Sequence, residues 1–599
     1  MKSLGISFGY HDSAVALVVD GEIVSAIQEE RFSRIKNDHS FPFGCLTHIF
    51  NTYSVNINSI DKIVYYEDPF LKNKRQIKSL LNTTVSGRFP QATSVKKVVS
   101  ESLTLNSFVF DEFVRCGFAS SEFEKYHLKN ILSYSEHHLS HAASAYLPSP
   151  FHESAVLCMD GVGEDLTTSI WLGSQGKLKL LDSVSYPNSL GLFYSTFTSY
   201  LGFKVNEGEY KLMGLAPYGQ PKYTQLILEN MIKLSDDGKF FLNKRYFSFD
   251  YSQIMYTKDF EVLFGFPPIN LNDQKFSQDH FDLARSVQEV ITLGIMGLVK
   301  NVKKLTQAEN LCLSGGVALN CVANGNILKS RLFKNIWIQP ASGDAGSALG
   351  AALLGSEDLD YSKKSSSKDL MKSALLGPSY SNEEIVRFLD EFNINFKKLP
   401  ESEHLLYLVN SIIDGKVIGF FAGPMEFGPR ALGSRSIIAD PRIKNMQSIL
   451  NQKIKFREGF RPFAPVFLES HVRNYFDNVA CSPYMLLVDK LKSEHLTNQS
   501  VLQEAKGLDK LKVCKSNLPA TTHVDCTSRI QTVSSDYGNP QFYSLLKYFH
   551  HVTGCPALIN TSFNVKDEPI VMTPLDAYNC FMKTGMDILV LDNFVIEKS

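Results

Sequence analysis

The sequence predicts an α/β protein with a duplicated N-terminal domain, residues 1–365, and a second α/β domain over residues 366–599. The first observation is a unit near the start. Leu4 to Phe8, Ala14 to Val19 and Glu22 to Gln28 are apolar runs parted by the polar loop GYHDS and a DG turn, which read as strand, loop, strand, tight turn and strand. The second is the return of that order at Ser154 to Met159, the loop DGVGED, Thr167 to Leu172, a turn at Ser174 to Gly176, and Lys177 to Ser185. The third is a break from Ser356 to Lys372, where SEDLDYSKKSSSKD is polar and lacks apolar periodicity, as a linker does.

The remaining elements follow in order. Phe281 to Leu305 has helical apolar spacing, and strand-like Asn310 to Leu313 leads into the glycine-rich turn SGGVALN. Asn335 to Gln339 reads as a strand before ASGDAGSALGAALL, a small-residue helix with Asp344 near its start. Beyond the linker come ALLGPSYSNEEIVRFLDEF, the strand-like Val417 to Phe421, and a basic run from Arg430 to Arg461. The tandem hairpin units resemble those of the actin, Hsp70 and sugar-kinase superfamily, an RNase H-like fold in which the two loops flank a nucleotide phosphate. Two hairpins in a long α/β chain also arise without duplication, so the repeat stands as an expectation.

Composition excludes several classes. With 61 basic and 62 acidic residues the net charge is -1, so no global field draws the chain to nucleic acid or an anionic membrane. The apolar opening is interrupted by His11, Asp12 and Asp20 and reads as strands, not as a signal peptide. Val290 to Val299 is too short to span a bilayer. Ten cysteines without any CxxC spacing suggest reduced thiols, with Cys158 and Cys312 in the core, and a cytoplasmic location.

Chemistry concentrates in two places. SEHHLSHAASAY, from Ser135 to Tyr146, sets His137 and His141 four positions apart, on one face of a helix. Asp160 ends a buried strand, and Asp344 can point back to the same cleft; two imidazoles and two carboxylates suit a borderline divalent metal. The plain reading is that the histidines cover a helix, Asp160 starts a turn and Asp344 is an N-cap. Gly315 and Gly316 let backbone approach a ligand, or serve only tight helix–sheet packing. The second place is Glu426 to Glu469, with eight Lys or Arg against four Asp or Glu, in rigid contexts such as FGPRALGSR and FREGFRPFAP. A compact anion would account for that excess, and Arg430, Lys455 and Arg461 are its candidate ligands.

The motifs GYHDSA, EERFSRIKND, HHLSHAASAY, MDGVGE, GEYKLMGLAPYG, SGGVALN, SGDAGSALGAAL, FGPRALGSRSIIADPR, KFREGFRPFAP, HVDCTSRIQTV and NTSFN occur in that order. Together they resemble the O-carbamoyltransferases of antibiotic, nodulation-factor and toxin biosynthesis. The resemblance implies an N-terminal domain similar to tRNA threonylcarbamoyl transferases and a C-terminal domain similar to the enzyme that makes threonylcarbamoyl-adenylate. It further implies a two-stage reaction. Carbamoyl phosphate and ATP, with Mg²⁺, give carbamoyl-adenylate in the C-terminal domain, and the carbamoyl group passes to a hydroxylated small-molecule acceptor in the N-terminal one.

By motif match, Arg430, Lys455 and Arg461 bind carbamoyl phosphate, with Arg529, Asn560 and Ser562 at the adenylate. Lys211, Gly315, Gly316 and Asn320 meet nucleotide in the N-terminal domain. His11 is the general base or orients the acceptor. Arg31, Arg34 and Lys36 line the acceptor or phosphate entrance. His137, His141, Asp160 and Asp344 hold the metal, for which the resemblance favours iron while the ligands also suit zinc or manganese. Monomer and homodimer are both compatible with the sequence. One departure is Cys526, which stands where the family pattern has glycine and puts the local backbone near Arg529 in question. The competing readings are a tRNA threonylcarbamoyl-transfer enzyme, which needs an extended cationic face, and a non-catalytic actin- or Hsp70-like nucleotide-dependent binding protein, which leaves the C-terminal arginines without a purpose.

Overall fold

A computed structural model describes residues 1–85, 107–250, 252, 254–270, 275–356, 364 and 368–598. The linker read between Ser356 and Lys372 lies partly outside the described residues, at 357–363 and 365–367. The chain forms two compact units, Met1–Glu29 with Asn37–Leu370, and Glu30–Lys36 with Met371–Ser599.

The first unit contains the duplication. Its first sheet has β1 (Lys2–Ser7), β2 (Ala14–Val19), β3 (Glu22–Gln28), β4 (Lys62–Tyr65) and β5 (Leu132–Tyr134) in the order β3-β2-β1-β4-β5. Its second has β6 (Glu153–Met159), β7 (Leu166–Ser174), β8 (Lys177–Ser185), β11 (Asn310–Ser314) and β12 (Asn335–Ile338), with β9 (Ile232–Leu234) and β10 (Phe240–Leu242) pairing separately. That order, β12-β11-β6-β7-β8, matches the first sheet strand for strand. In each sheet the first strand is central, antiparallel to the second and parallel to the fourth. A strand buried on both faces must be apolar throughout, and β2 and β6 are almost wholly buried, Cys158 included.

Four helices of this unit matter below: α1 (Pro69–Val85), α2 (His137–Tyr146), α3 (Gln278–Thr306) and α4 (Asp344–Gly355). The small-residue run of α4 lets its backbone touch its neighbours. A Cβ on Gly350 would stand 1.9 Å from the Ser140 carbonyl of α2, so only glycine permits this approach. Asp344 is the first helical residue, behind Gly343 as N-cap. Its carboxylate therefore does not cap the helix, which corrects the plain reading.

The second unit is built on one nine-stranded sheet. Its strands are β13 (Lys397–Lys398), β14 (Ile418–Phe421), β15 (Arg435–Ala439), β16 (Ala464–Leu468), β17 (Leu487–Lys490), β18 (Thr527–Val533), β19 (Ala557–Ser562), β20 (Ile588–Leu591) and β21 (Phe594–Glu597). They run in the order β13-β21-β20-β14-β15-β19-β16-β18-β17. Helix Asn382–Glu391 begins with a reciprocal Ser381–Glu384 capping box, and its apolar face joins the core through Ile385 and Leu389.

The basic run divides once folded. Arg435 is wholly buried on β15, 3.6 Å from the Phe421 ring centroid, and donates to the carbonyls of Gly423, Ser434 and Pro378. Arg442 pairs with Asp440 at 2.6 Å. Two of the eight cations counted between Glu426 and Glu469 are thus absorbed by the fold, which narrows the excess assigned to an anion. All ten cysteines are free of disulfides. Among the described residues no helix is long and apolar enough to cross a membrane.

Candidate functional site

In the first unit His137, His141, Asp160 and Asp344 converge. The i, i+4 spacing of α2 points both imidazoles one way, β6 ends at Asp160, and α4 delivers Asp344 beside α2. The Nε2 atoms of His137 and His141 are 3.0 Å apart, and Asp160 Oδ2 lies 3.2 and 3.8 Å from them. Asp344 Oδ1 is 3.6 Å from each. A tetrahedral ion held at about 2.1 Å would set its donors about 3.4 Å apart, so the four atoms already outline such a shell. Asp344 Oδ1 is buried with no hydrogen-bond partner, as a donor reserved for an ion would be. The donor set fits a divalent metal on these two counts.

Electrostatics agree. Burial opposes charge on His137, Asp160 and Asp344, but the mutual attraction prevails. It holds Asp160 well below and Asp344 below the usual carboxylate range, and His137 well above the usual imidazole value. The two carboxylates are thereby held ionised, the form in which they take a dication in exchange for the imidazole protons.

The glycine turn supports Asp160. Gly315 has φ +85° and no room for a side chain, since a Cβ would lie 2.2 Å from the Met159 carbonyl oxygen. The Gly316 N–H then donates to Asp160 Oδ1 at 3.0 Å. Asn320, read as nucleotide-binding, accepts from the Ala323 N–H at the start of helix Cys321–Ser330 and from Gln288 of α3, a structural engagement. Lys211 is buried on helix Glu209–Leu215, its Nζ 6.0 Å from the Phe203 ring centroid.

His11 stands next to the quartet. Its Nε2 is 3.8 Å from Asp344 Oδ2 and its Nδ1 3.2 Å from Asp12 Oδ2. Burial lowers its pKa, but Asp344 and Asp12 more than offset this and raise it well above the ordinary value. Asp12 has φ +53°, a strained setting for a residue other than glycine, in the loop that presents His11.

Sequence reasoning missed several partners. Glu164 accepts the N–H of His137 at 2.7 Å and of Asp68 at 2.9 Å, and so caps α2 from a distant loop. Glu67 lies 3.9 Å from His137 Nδ1, and Ser347 lies 3.0 Å from His141 Nδ1. Glu67 and Asp68, at the end of a strand as Asp160 is, carried the same signal.

The second unit gathers the anion-binding candidates. Arg430 sits in a loop between Gly428 and Gly433. Glu426 Oε1 shapes that loop by accepting the N–H groups of Leu432, Ser434 and Arg435 at 2.7 to 3.1 Å. Gln531 donates to the Leu432 carbonyl and Asn560 to that of Ala431. Asn560 Oδ1 has no hydrogen-bond partner. Lys455 is buried and donates to Ser562 Oγ at 3.1 Å and Asn564 Oδ1 at 2.8 Å, and also to both backbone carbonyls. Burial, with Arg457, Arg461 and Lys36 nearby, drives its pKa well below the usual lysine value. Arg461 is 3.6 Å from Glu458, which also meets Lys566 at 3.2 Å.

Arg31, Arg34 and Lys36 lie in this unit and not with His11. Arg31 is buried and donates to the Gly428 carbonyl at 2.8 Å. Arg34 donates to the carbonyls of Ile570 and Pro569. These bonds tie the segment to the loops that carry Gly428 and Pro569, while Lys36 adds to the positive field at Lys455. Arg529 is on β18, and Cys526 just before it has φ +65°. The backbone therefore keeps a left-handed conformation that glycine would favour, despite the cysteine.

Together these centres define an α/β protein with a metal-compatible quartet in one unit and a buried, oxygen-ringed lysine among further basic residues in the other. The chain belongs to the carbamoyltransferase family: the models described as Carbamoyltransferase N-terminus and Carbamoyltransferase C-terminus match residues 2–353 and 409–598. It is 46% identical over 600 residues to an uncharacterized protein of Synechocystis sp., spanning 100% of this chain and 96% of that one. It is 33% identical over 593 residues to the nodulation protein NolNO of Sinorhizobium fredii, spanning 98% of this chain and 79% of the relative. Among solved structures, component A of the (R)-2-hydroxyglutaryl-CoA dehydratase of Acidaminococcus fermentans aligns with a TM-score of 0.31 and 14% identity, over 61% of this chain and 99% of that one. The family assigns carbamoyl transfer.

Proposed function

We propose that the protein is an ATP-dependent O-carbamoyltransferase that activates carbamoyl phosphate as carbamoyl-adenylate and carbamoylates a hydroxyl of a small natural-product acceptor. The observation that carries the first stage is Lys455. Its hydrogen-bond acceptors are neutral oxygens, and its charged neighbours are Arg457, Arg461 and Lys36. Such a site is prepared for anions. Carbamoyl phosphate and the ATP triphosphate repel one another, and the cations Arg430 and Arg461, Lys455 with its charge favoured again by the incoming anion, and Mg²⁺ on the triphosphate offset that repulsion and stabilise charge moving onto pyrophosphate. Atom balance requires water to release phosphate from carbamoyl phosphate. A carbamate oxygen then attacks the α-phosphorus of ATP, and pyrophosphate leaves. Arg529, Asn560 and Ser562 are the proposed adenylate contacts.

In the second stage the acceptor oxygen attacks the carbamoyl carbon and AMP departs. His137, His141, Asp160 and Asp344 would hold the divalent metal, iron by family likeness with zinc or manganese also suited, which supplies Lewis acidity for the adenylate phosphate. Gly315, Gly316 and Lys211 are the proposed nucleotide contacts of the first unit. His11 orients the acceptor hydroxyl and, in its neutral form, receives its proton, and Asp12 fixes the ring through Nδ1.

The test is pyrophosphate release from ATP, carbamoyl phosphate and Mg²⁺. Arg430→Ala and Arg461→Ala are expected to lower it at least 100-fold, about 3 kcal/mol of transition-state stabilisation. His11→Asn is expected to retain it and to stop transfer of labelled carbamoyl to any acceptor in a panel of hydroxylated natural products. Adenylation lost first in His11→Asn would reverse the assignment of the stages.

A further inference from the structure

We propose that Glu67 is a positioning residue that fixes the protonation and orientation of His137 in the quartet, an inference that rests on reading the quartet as a metal site. Glu67 follows β4 and is only 4% exposed. Its Oε2 lies 3.9 Å from His137 Nδ1, and its Oε1 pairs with Lys72 Nζ of α1 at 2.6 Å. His137 Nδ1 is buried and has no hydrogen-bond partner at this separation. A shift of less than one ångström would close the gap to an ordinary hydrogen bond.

The two imidazoles are backed differently. Behind His141 Nδ1 are the hydroxyls of Ser347 at 3.0 Å and Ser314 at 3.4 Å. A hydroxyl donates or accepts and leaves the tautomer open. Behind His137 stands a carboxylate, which when ionised can only accept. With that gap closed it holds the proton on Nδ1 and leaves the Nε2 lone pair for the metal, on the side of Asp160 and Asp344. It also makes that nitrogen a stronger donor to a dication, as an anionic partner behind a ligating histidine does. His137 is thus the strongly polarised ligand and His141 the neutral-backed one.

Lys72 allows the positioning role to be separated from a structural one. If Glu67 matters only because its ion pair anchors α1, removing Lys72 must do the same harm as removing the carboxylate. If Glu67 acts on His137, removing Lys72 frees the carboxylate toward the imidazole, with the Tyr65 hydroxyl still donating to Oε1 at 3.4 Å.

The experiment titrates metal-stripped full-length protein with Co²⁺ and reads the ligand-field spectrum and the dissociation constant. Glu67→Gln is expected to weaken Co²⁺ binding about 10- to 100-fold and to shift the bands. Lys72→Met is expected to bind as tightly as the unaltered protein or more tightly, and Glu67→Asp to fall between. Equal weakening in Glu67→Gln and Lys72→Met, or unchanged affinity in Glu67→Gln, overturns the proposal. Absence of Co²⁺ binding by the unaltered protein refutes the metal reading itself, a distinguishable result. Should Glu67→Gln not fold, histidine ¹⁵N resonances of the unaltered, Zn²⁺-loaded protein decide: protonated Nδ1 with metal on Nε2 is expected for His137, and the opposite tautomer refutes it.

Discussion

Single residues here take their roles from burial as much as from type. Three buried cations show this. Arg435 lies under a phenyl ring with carbonyl acceptors around it, and Lys455 donates to the oxygens of Ser562 and Asn564. Lys364 donates to the carbonyls of Tyr146 and Phe151 at 2.8 and 2.9 Å, 4.1 Å from the Tyr146 ring centroid. Burial pushes the Lys364 pKa down from 10.5 to about 8. The folded state therefore binds fewer protons than the unfolded one between those values, and stability rises with pH across that window. The gain is at most about 3.5 kcal/mol, the shift converted at about 1.4 kcal/mol per unit. Denaturant unfolding from pH 7.5 to 10.5 is expected to show this rise, and Lys364→Met is expected to flatten it. An identical slope in the variant would remove the assignment.

At the scale of elements, the quartet depends on where strands and helices stop. The β6 strand ends at Asp160, α4 begins at Asp344, and α2 begins at His137 under the Glu164 carboxylate. The turn after β11 fills the remaining space with backbone alone. Gly315→Ala puts a methyl group against Met159 and demands φ +85° of an alanine. We expect a loss of about 2 kcal/mol or more in unfolding free energy, from strain and displacement of the turn. Metal content is expected to fall as well, because the Gly316 N–H leaves Asp160. An alanine variant with the stability and metal content of the unaltered protein would show that the turn tolerates a side chain.

For the whole molecule, the proposed function gives each unit its own stage, and the stages should separate when one is disabled. Stripping the metal with a chelator, then restoring Mg²⁺, is expected to preserve pyrophosphate release and abolish carbamoyl transfer. Transfer is expected to return with added Fe²⁺, Zn²⁺ or Mn²⁺, and the order of rescue would identify the preferred ion. Loss of both activities on stripping would place the quartet in activation as well. The segment Glu30–Lys36 carries the clearest consequence of folding at this scale, because residues from the beginning of the chain complete the second unit. Arg31 and its acceptor Gly428 are 397 positions apart.

The sequence by itself determined the features that arise locally. Alternating apolar runs and turn residues announced the paired hairpins, four-residue spacing placed His137 and His141 on one helical face, and an apolar run ending in aspartate positioned Asp160. Each is readable because strand and helix periods act over neighbouring residues. Only the tertiary structure decided that Arg31 and Arg34 anchor the second unit, that Arg435 belongs to its core, and that Glu67 and Glu164 stand behind the histidine helix. These outcomes depend on contacts between residues far apart in the chain and on which charges lose water, and neither leaves a periodic trace in the order of amino acids.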